Sequence, residues 1–356
     1  MVVVGADVLK RTHTFVAVDA VGKKVGQLTV KADGKGHDQA VRWAQSQFGS
    51  ELKWGIEDCR HLSARLEIDL LDVGQAVVRV PAKLMAQVRA SARTRGKCDP
   101  IDALAVARAV LREPDLPVAA HDEASRELKM LVDRREDLVG ERTRMINRLR
   151  WHLHRLDPAE AIADPPIKSL DRTKTRVQLG GWLADKVGVD ARMAREVLAD
   201  IDRVTPVINA LEREIGGLVK TSAPALLELS GCGALTAAKI VGETAGVARF
   251  ANEAKYAMHA GVCPIPVWSG NTAGRVRMTR AGNRQLNAAL HRIAVTQIRL
   301  DGDGRAYYQK RLGAGDSTTE ALRCLKRRLA RIVFNILKTD QTNASSSAGT
   351  TLPAAA

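Results

Sequence analysis

Four carboxylates stand where the chain could hold metal ions. Asp7 closes the apolar run Val2-Val3-Val4-Gly5-Ala6, Glu57 closes Trp54-Gly55-Ile56, and Asp99 and Asp102 are three apart, so that they share one face of a helix. An ionised group at the end of an apolar strand needs a structural or chemical reason to be there. Hard oxygen ligands converging from different elements are what two Mg²⁺ ions require, one activating the nucleophile and one stabilising the leaving oxygen of a phosphodiester. Asp99-Pro100-Ile101-Asp102 has a second reading, as a helix start with Asp99 at the N-cap and Pro100 at the first helical position. A carboxylate that caps backbone amides has fewer lone pairs for a metal, so Asp102 is the firmer ligand of the two. Asp58, beside Glu57, points to the opposite side of a continuing strand.

A second set of chemical groups lies in the C-terminal third. Ser269-Gly270 sits in the stretch Val262-Cys263-Pro264-Ile265-Pro266-Val267-Trp268, ahead of Arg275, Arg277, Arg280 and Arg284. A serine beside clustered arginines could attack a phosphodiester while the guanidinium groups offset charge developing on its oxygens. Serine before glycine is also ordinary turn chemistry, and the residues leave both readings open. Leu229-Ser230-Gly231-Cys232-Gly233-Ala234 has the form of a helix-hairpin-helix turn. Its glycines, Gly231 and Gly233, allow close backbone approach and leave amides free for a DNA phosphate. Arg323, Lys326, Arg327, Arg328 and Arg331 form a basic helical run that fits a phosphate backbone or a solvated surface.

The elements behind these residues change character along the chain. Residues 1–112 alternate short β-branched runs (Val2 to Asp7, Thr14 to Asp19, Val25 to Val30, Leu52 to Glu57, Ala76 to Pro81) with helical stretches near Gln39–Phe48 and Arg60–Leu71 and from Asp99. The order β-β-β-α-β-α-β-α predicts an α/β RNase H-like domain. Residues 122–220 hold no strand: Leu131, Leu138, Met145 and His152 recur every seven residues, and Val197, Ile201, Val204, Ile208, Leu211, Ile215 and Leu218 alternate spacings of four and three. That pattern predicts two coiled-coil-like helices packed as an antiparallel hairpin. The connection 157–189, with Pro165-Pro166 and Gly180-Gly181, reads as a loop with one short helix. Residues 224–338 read as a compact, mostly α unit, and 339–356 as a disordered tail.

Composition narrows the partners. The 356 residues carry a net charge of +15 with ordinary globular hydrophobic content, which points to nucleic acid or an anionic membrane. The longest apolar runs fall far below the roughly 20 residues needed to cross a bilayer, and the first residues lack a basic signal-peptide region, so a cytoplasmic protein without a membrane partner is expected. Aromatic residues make up 3% of the chain, which places charge ahead of base stacking in binding. Cys59, Cys98, Cys232, Cys263 and Cys324 are scattered and never paired as C-x-x-C, suggesting neither disulfides nor zinc.

Taken in order, Gly5-Ala6-Asp7-Val8, Gly55-Ile56-Glu57, Lys97-Cys98-Asp99-Pro100-Ile101-Asp102-Ala103, Ser230-Gly231-Cys232-Gly233, and Ala260-Gly261-Val262 through Ser269-Gly270 to Arg280-Ala281-Gly282-Asn283-Arg284 resemble the DEDD transposases of insertion sequences, of the IS one-ten and IS eleven-eleven type. The resemblance runs from residue 1 to about 338. It implies a RuvC-like N-terminal domain, a coiled coil used in oligomerisation, and a C-terminal transposase domain. It further implies Asp7, Glu57, Asp99 and Asp102 as the Mg²⁺ ligands and Ser269 as a nucleophile that joins covalently to DNA, in an active site completed by the two domains, contributed by different subunits. A guide RNA from the element itself, pairing with donor and target DNA, is implied as a partner. Asn271-Thr272 departs from the glycine or lysine that commonly follows the serine. Two other classes remain: a junction-resolving nuclease that uses the same carboxylates with water, and a non-catalytic nucleic-acid-binding protein whose acids cap helices. A sugar kinase or ATPase of the actin-like class lacks its second phosphate-binding turn here.

Overall fold

A computed structural model describes residues 1–57, 62–90, 98–120, 122–166, 168–274, 276–278 and 282–348. The chain divides into two compact units, residues 1–122 with 246–259, and residues 123–245 with 260–278 and those from 282 onward.

In the first unit β1 (Val2–Val8), β2 (Thr12–Val18), β3 (Lys24–Lys31), β4 (Leu52–Glu57) and β5 (Ala76–Val80) make one sheet in the order β3-β2-β1-β4-β5. The first three strands meander antiparallel, and β4 and β5 run parallel to β1. The β2–β3 turn is set locally: Asp19 Oδ1 accepts from the amides of Val21 and Lys23, and Gly22 takes the left-handed φ of 79°. Helices α1 (Gly34–Phe48) and α2 (Ala64–Asp72) cover one face over Phe15, Trp54, Ile56, Leu66 and Leu70. The other face holds Val3, Val16, Val78 and Val80 under α3 (Ala82–Ala90) and α4 (Asp99–Arg112). Two details depart from the expected order. Helix α3 is additional, and α1 begins at Gly34 because Asp33 Oδ1 caps it through the Gly36 amide at 2.8 Å, turning an apparent Gly-Lys-Gly loop into a helix start.

The second unit opens with α5 (Glu123–Leu156), α6 (Thr173–Ala184), α7 (Val189–Ser222), α8 (Pro224–Leu227) and α9 (Ala234–Thr244). Helices α5 and α7 lie antiparallel: Leu138 packs with Val204 and Ile208, while Leu149 and Leu153 pack with Ala194, Leu198 and Ile201. Gly180-Gly181, expected in a loop, lies inside α6. Leu179 and Leu183 are buried against α5 and α7, and that burial outweighs the roughly 1 kcal/mol each helical glycine costs. Helix α10 (Glu253–His259) belongs to the first unit. The chain then forms a ribbon of β6 (Pro264–Pro266) and β7 (Val276–Met278), followed by α11 (Arg284–Arg299), α12 (Asp303–Gly313) and α13 (Thr318–Ala348). The predicted tail is therefore helical as far as Ala348. Leu325, Leu329, Val333 and Leu337 drive the helix forward from its buried face, and the Ala225 amide bonds the Asp340 carboxyl, whose pKa burial pushes up. Among the described residues no helix is long and apolar enough to cross a membrane.

Candidate active site

The sheet brings two of the four carboxylates together. Strands β1 and β4 are parallel neighbours with Gly5 opposite Gly55 and Ala6 opposite Ile56, so Asp7 and Glu57 end adjoining strands at the same edge. The pleat then sets their direction. A Cβ on Gly5 would lie 2.2 Å from the Ala103 carbonyl oxygen and 2.4 Å from the Ala107 nitrogen, and one on Gly55 would lie 2.7 Å from Val110 and 3.0 Å from Val106. Both glycines therefore face α4, and residues two positions on, Asp7 and Glu57, share that face. Glu57 also pairs in register with Val80, which is buried beneath α4.

Helix α4 carries the other two. Its N-cap is Cys98, and the Asp102 amide bonds the Cys98 carbonyl, so Asp99 occupies the first helical position and Pro100 the second. The N-cap position expected for Asp99 thus falls to Cys98, whose side chain makes no capping bond. Asp102 is buried, while Asp7, Glu57 and Asp99 are half-buried. Missing Cβ atoms at Gly5 and Gly55 let α4 sit directly on β1 and β4, bringing its acidic first turn over the face that Asp7 and Glu57 share. Among the described residues no three acidic, histidine or cysteine side chains converge as a metal-binding group, so the quartet shares a face without closing on one point. Asp58 lies outside the described residues.

Ser269 occupies a different setting. It is exposed at the end of the β6–β7 ribbon, whose strands pair only as Pro264–Met278, Ile265–Arg277 and Pro266–Val276. Ser269 starts the short 3₁₀ turn Gly270–Thr272. The hydroxyl of Thr272 accepts from its amide and donates to its carbonyl, both at 3.0 Å. The side chain of Trp268 beside it is 56% exposed. Arg277 is exposed on β7, and Arg284 is exposed as the first residue of α11, where a cation gains nothing from the helix dipole and remains available to an anion. Arg275 and Arg280 lie outside the described residues.

The base of the ribbon is clamped where its two ends meet. Gly261 (φ 67°) and Gly282 back onto each other so closely that a Cβ on Gly282 would lie 2.2 Å from the Gly261 Cα. Asn287 Nδ2 donates to the carbonyls of Ala260 (2.9 Å) and Gly261 (3.1 Å), and Lys326 Nζ donates to Asn287 Oδ1 at 2.5 Å. Next to it Asn283 caps α11 through the amides of Gln285 and Leu286, and its Nδ2 donates to Glu243 Oε2 at 2.6 Å. Lys129 bonds Glu243 and Asp133, both at 2.8 Å, and Lys239 bonds Glu136 at 2.6 Å. Burial opposes the charge of Lys129, but its two carboxylate partners outweigh that and raise its pKa. The chain of bonds thus runs from α5 through α9 to the root of the ribbon.

Two expected nucleic-acid contacts, Lys326 and Gly231, change meaning. Lys326 is buried and turned toward Asn287, because position 326 falls on the face of α13 that also carries Leu322, Leu329 and Val333. Burial, then the nearby Arg323, lowers its pKa. Gly231 (φ 83°) closes against α11, where a Cβ would lie 3.0 Å from Thr296 and 3.2 Å from the Ile293 carbonyl oxygen, so its smallness serves packing. Gly233, at the N-cap of α9, has open space around it. Arg328 is exposed and lies over the Tyr307 ring at 4.9 Å, and Arg327 is half-buried. The clamp residues Asn283 and Asn287 were not singled out as functional. Only the Gly282-Asn283 pair ahead of an apolar helix signals them in the sequence.

The chain matches known proteins in two segments. Residues 4–158 match the family model described as a transposase of the DEDD IS110 type, and residues 223–309 match that of the transposase IS116/IS110/IS902 family. The uncharacterised 44.8 kDa protein of insertion element IS116 from Streptomyces clavuligerus is 28% identical over 94% of each chain. The corresponding proteins of IS900 from Mycobacterium paratuberculosis (27%, covering 82% of this chain and 84% of its own) and of IS110 from Streptomyces coelicolor (26%, covering 95% and 94%) are similar along most of their length. With both halves matched in order to one family, and the relatives similar nearly end to end, the chain belongs to the IS110-family transposases, enzymes that cut and rejoin DNA.

Proposed function

We propose that this transposase cuts and rejoins DNA with Mg²⁺ held by Asp7, Glu57 and Asp102, aided by Asp99, and with Ser269 as the nucleophile. The observation that carries the metal assignment is the parallel pairing of β1 with β4, which sets Asp7 and Glu57 side by side on the face that α4 covers. All four donors are carboxylate oxygens, the ligand type that Mg²⁺ takes. Bound there, Mg²⁺ would polarise the phosphate and offset charge on the leaving oxygen. Ser269 Oγ forms a new phosphoester to the scissile phosphorus while the bond to the departing sugar oxygen breaks, and that oxygen takes up the proton the hydroxyl gives away. The bond energy is kept in the serine ester, so rejoining needs no outside energy source. Arg277 and Arg284, both exposed, supply positive charge for the phosphate oxygens. Centres shared between subunits of a homo-oligomer, and an element-encoded guide RNA that pairs with donor and target, complete the reading that the family resemblance supports.

The test uses full-length protein with donor and target DNA and, for rejoining, the RNA of the element's non-coding end. Denaturing gels should show a covalent protein–DNA adduct with the wild type and none with Ser269→Ala. Asp7→Ala and Glu57→Ala should lower adduct formation by about a thousandfold, as should chelator. Cleavage without adduct by Ser269→Ala would replace the serine with water as the nucleophile. Full recombination in chelator would remove the metal.

A further inference from the structure

The exposed side of α5 changes composition halfway along. Positions that share one outward line are Met130, Arg134, Asp137, Glu141, Arg144, Arg148, Trp151 and Arg155, mixed in sign up to Glu141 and free of acid from Arg144 on. The second half spans about 16 Å of helix. Arg144 and Arg148 are exposed and have no carboxylate partner among the described residues. Trp151 is 70% exposed, an unusual position for an indole in a chain with so few aromatic residues, and His154 packs edge-on to it at 6.3 Å. Beside this pair opens a cleft of about 640 Å³ walled by Asn147, Arg150, Trp151, His154, Pro158 and Asp164. Arg150 and Asp164 bond each other at 2.7 Å across it.

We propose that this end of α5 is a second DNA-binding site, which takes an unpaired stretch of the substrate strand with one base stacked on Trp151 and the flanking phosphates on Arg144 and Arg148. An indole face suits any base, and guanidinium groups one helical turn apart suit consecutive phosphates. The Asn147 amide and the Asp164 carboxylate give the cleft hydrogen-bonding groups for a base edge. A second copy of the chain fits the surface less well. The stripe offers it one aromatic ring among cations, and the same arginine stripe on a second copy would repel it. The proposal rests on DNA as the substrate of the family and is independent of the serine and metal assignments, since its test reads binding alone.

The experiment measures fluorescence anisotropy of the full-length protein with a fluorescein-labelled single-stranded oligothymidylate and with a duplex. Trp151→Ala should weaken single-strand binding about tenfold or more and leave duplex binding within about twofold, while Trp151→Phe keeps most of the affinity. The double variant Arg144→Ala/Arg148→Ala should reduce the slope of log affinity against log salt by about 1.4. Because all three side chains project into solvent, melting temperatures should match the wild type. Unchanged single-strand affinity in Trp151→Ala would overturn the proposal, as would an equal loss on duplex. So would a change in sedimentation mass, which would make the surface a contact between copies, or preference for an RNA strand of matching sequence.

Discussion

The two candidate halves of the chemistry are held in opposite ways. Asp7 and Glu57 lie at the ends of strands in a five-stranded sheet covered on both faces, two residues beyond the glycines where α4 touches the backbone directly. Ser269 follows a short strand of a ribbon of three-residue strands, one of them with two prolines, that is largely exposed and, among the described residues, bonded at its root by Asn287. A metal site needs ligands fixed to within a fraction of an ångström, which a buried sheet supplies. A nucleophile that forms and later releases a bond to DNA, the role proposed for Ser269, can be carried on a strand pair anchored at its root. On that proposed reading, rigidity is placed where ligands converge and reach where the strand is carried.

The same substitution should therefore have unequal consequences in the two places, and this is the largest effect expected. Gly5→Ala sets a methyl group 2.2 Å from the Ala103 carbonyl oxygen, so α4 must be pushed off β1, at a cost of about 3 kcal/mol or more. Thermal melting should fall by about 10 °C, and cleavage should vanish with it. Gly270→Ala, in the serine turn, meets nothing within 4 Å and bears only the strain of its φ of 46°, about 1 kcal/mol. Equal melting shifts for the two variants would break the comparison.

How far each region could be read in advance follows from the same contrast. The places of Asp7 and Glu57 at strand ends and of Asp99 and Asp102 at a helix start were legible because such signals are local: an acid after an apolar run, or Asp-Pro before an alanine-rich helix, shows in a few neighbouring residues. The succession of strands and helices in the first unit was legible for the same reason, with α3 the exception. Helix α6 was left unplaced within a stretch read as a loop with one short helix, because Gly180-Gly181 argues for a loop until Leu179 and Leu183 find partners on α5 and α7. Lys326 was misread for a related reason. A run of basic residues looks like one surface, and only the apolar residues at its helical spacing show that one member turns inward. The clamp of Asn287, Lys326, Gly261 and Gly282 joins segments far apart in sequence, so beyond the Gly282-Asn283 pair no local signal announces it.

That clamp yields a prediction of intermediate size. Asn287→Ala strips the donors from the Ala260 and Gly261 carbonyls and leaves the buried Lys326 ammonium without its acceptor, at about 2–3 kcal/mol. If the root of the ribbon positions Ser269, the rate of adduct formation at saturating DNA should fall about tenfold to a hundredfold while DNA affinity stays within about twofold. Asn287→Asp, which keeps an acceptor for Lys326 but loses the amide donors, should recover the stability and not the rate. Loss of affinity with an unchanged rate would make the clamp part of the DNA surface instead.

The smallest effects separate the two regions by pH. On the sheet, His13 is buried on β2 and stacked on His37 at 5.1 Å; burial, then the charge of His37, lowers its pKa below 6.5. The unfolded chain takes up this proton first as pH falls, so the stability is present above 6.5 and is lost as pH drops from there through the folded value. At the ribbon root, Lys326 has a pKa lowered from 10.5, so the folded protein releases the proton first as pH rises. Its burial cost is full near neutrality and is relieved as pH climbs through the folded value toward 10.5. Stability should rise with pH in both windows, one mildly acidic and one alkaline. Melting curves between pH 5 and 7 should lose part of their slope in His13→Gln and keep it in Lys326→Met, and curves in the alkaline window should show the reverse. A single variant that flattened both windows would mean that one titration governs the whole chain, and the contrast between sheet and ribbon would fail.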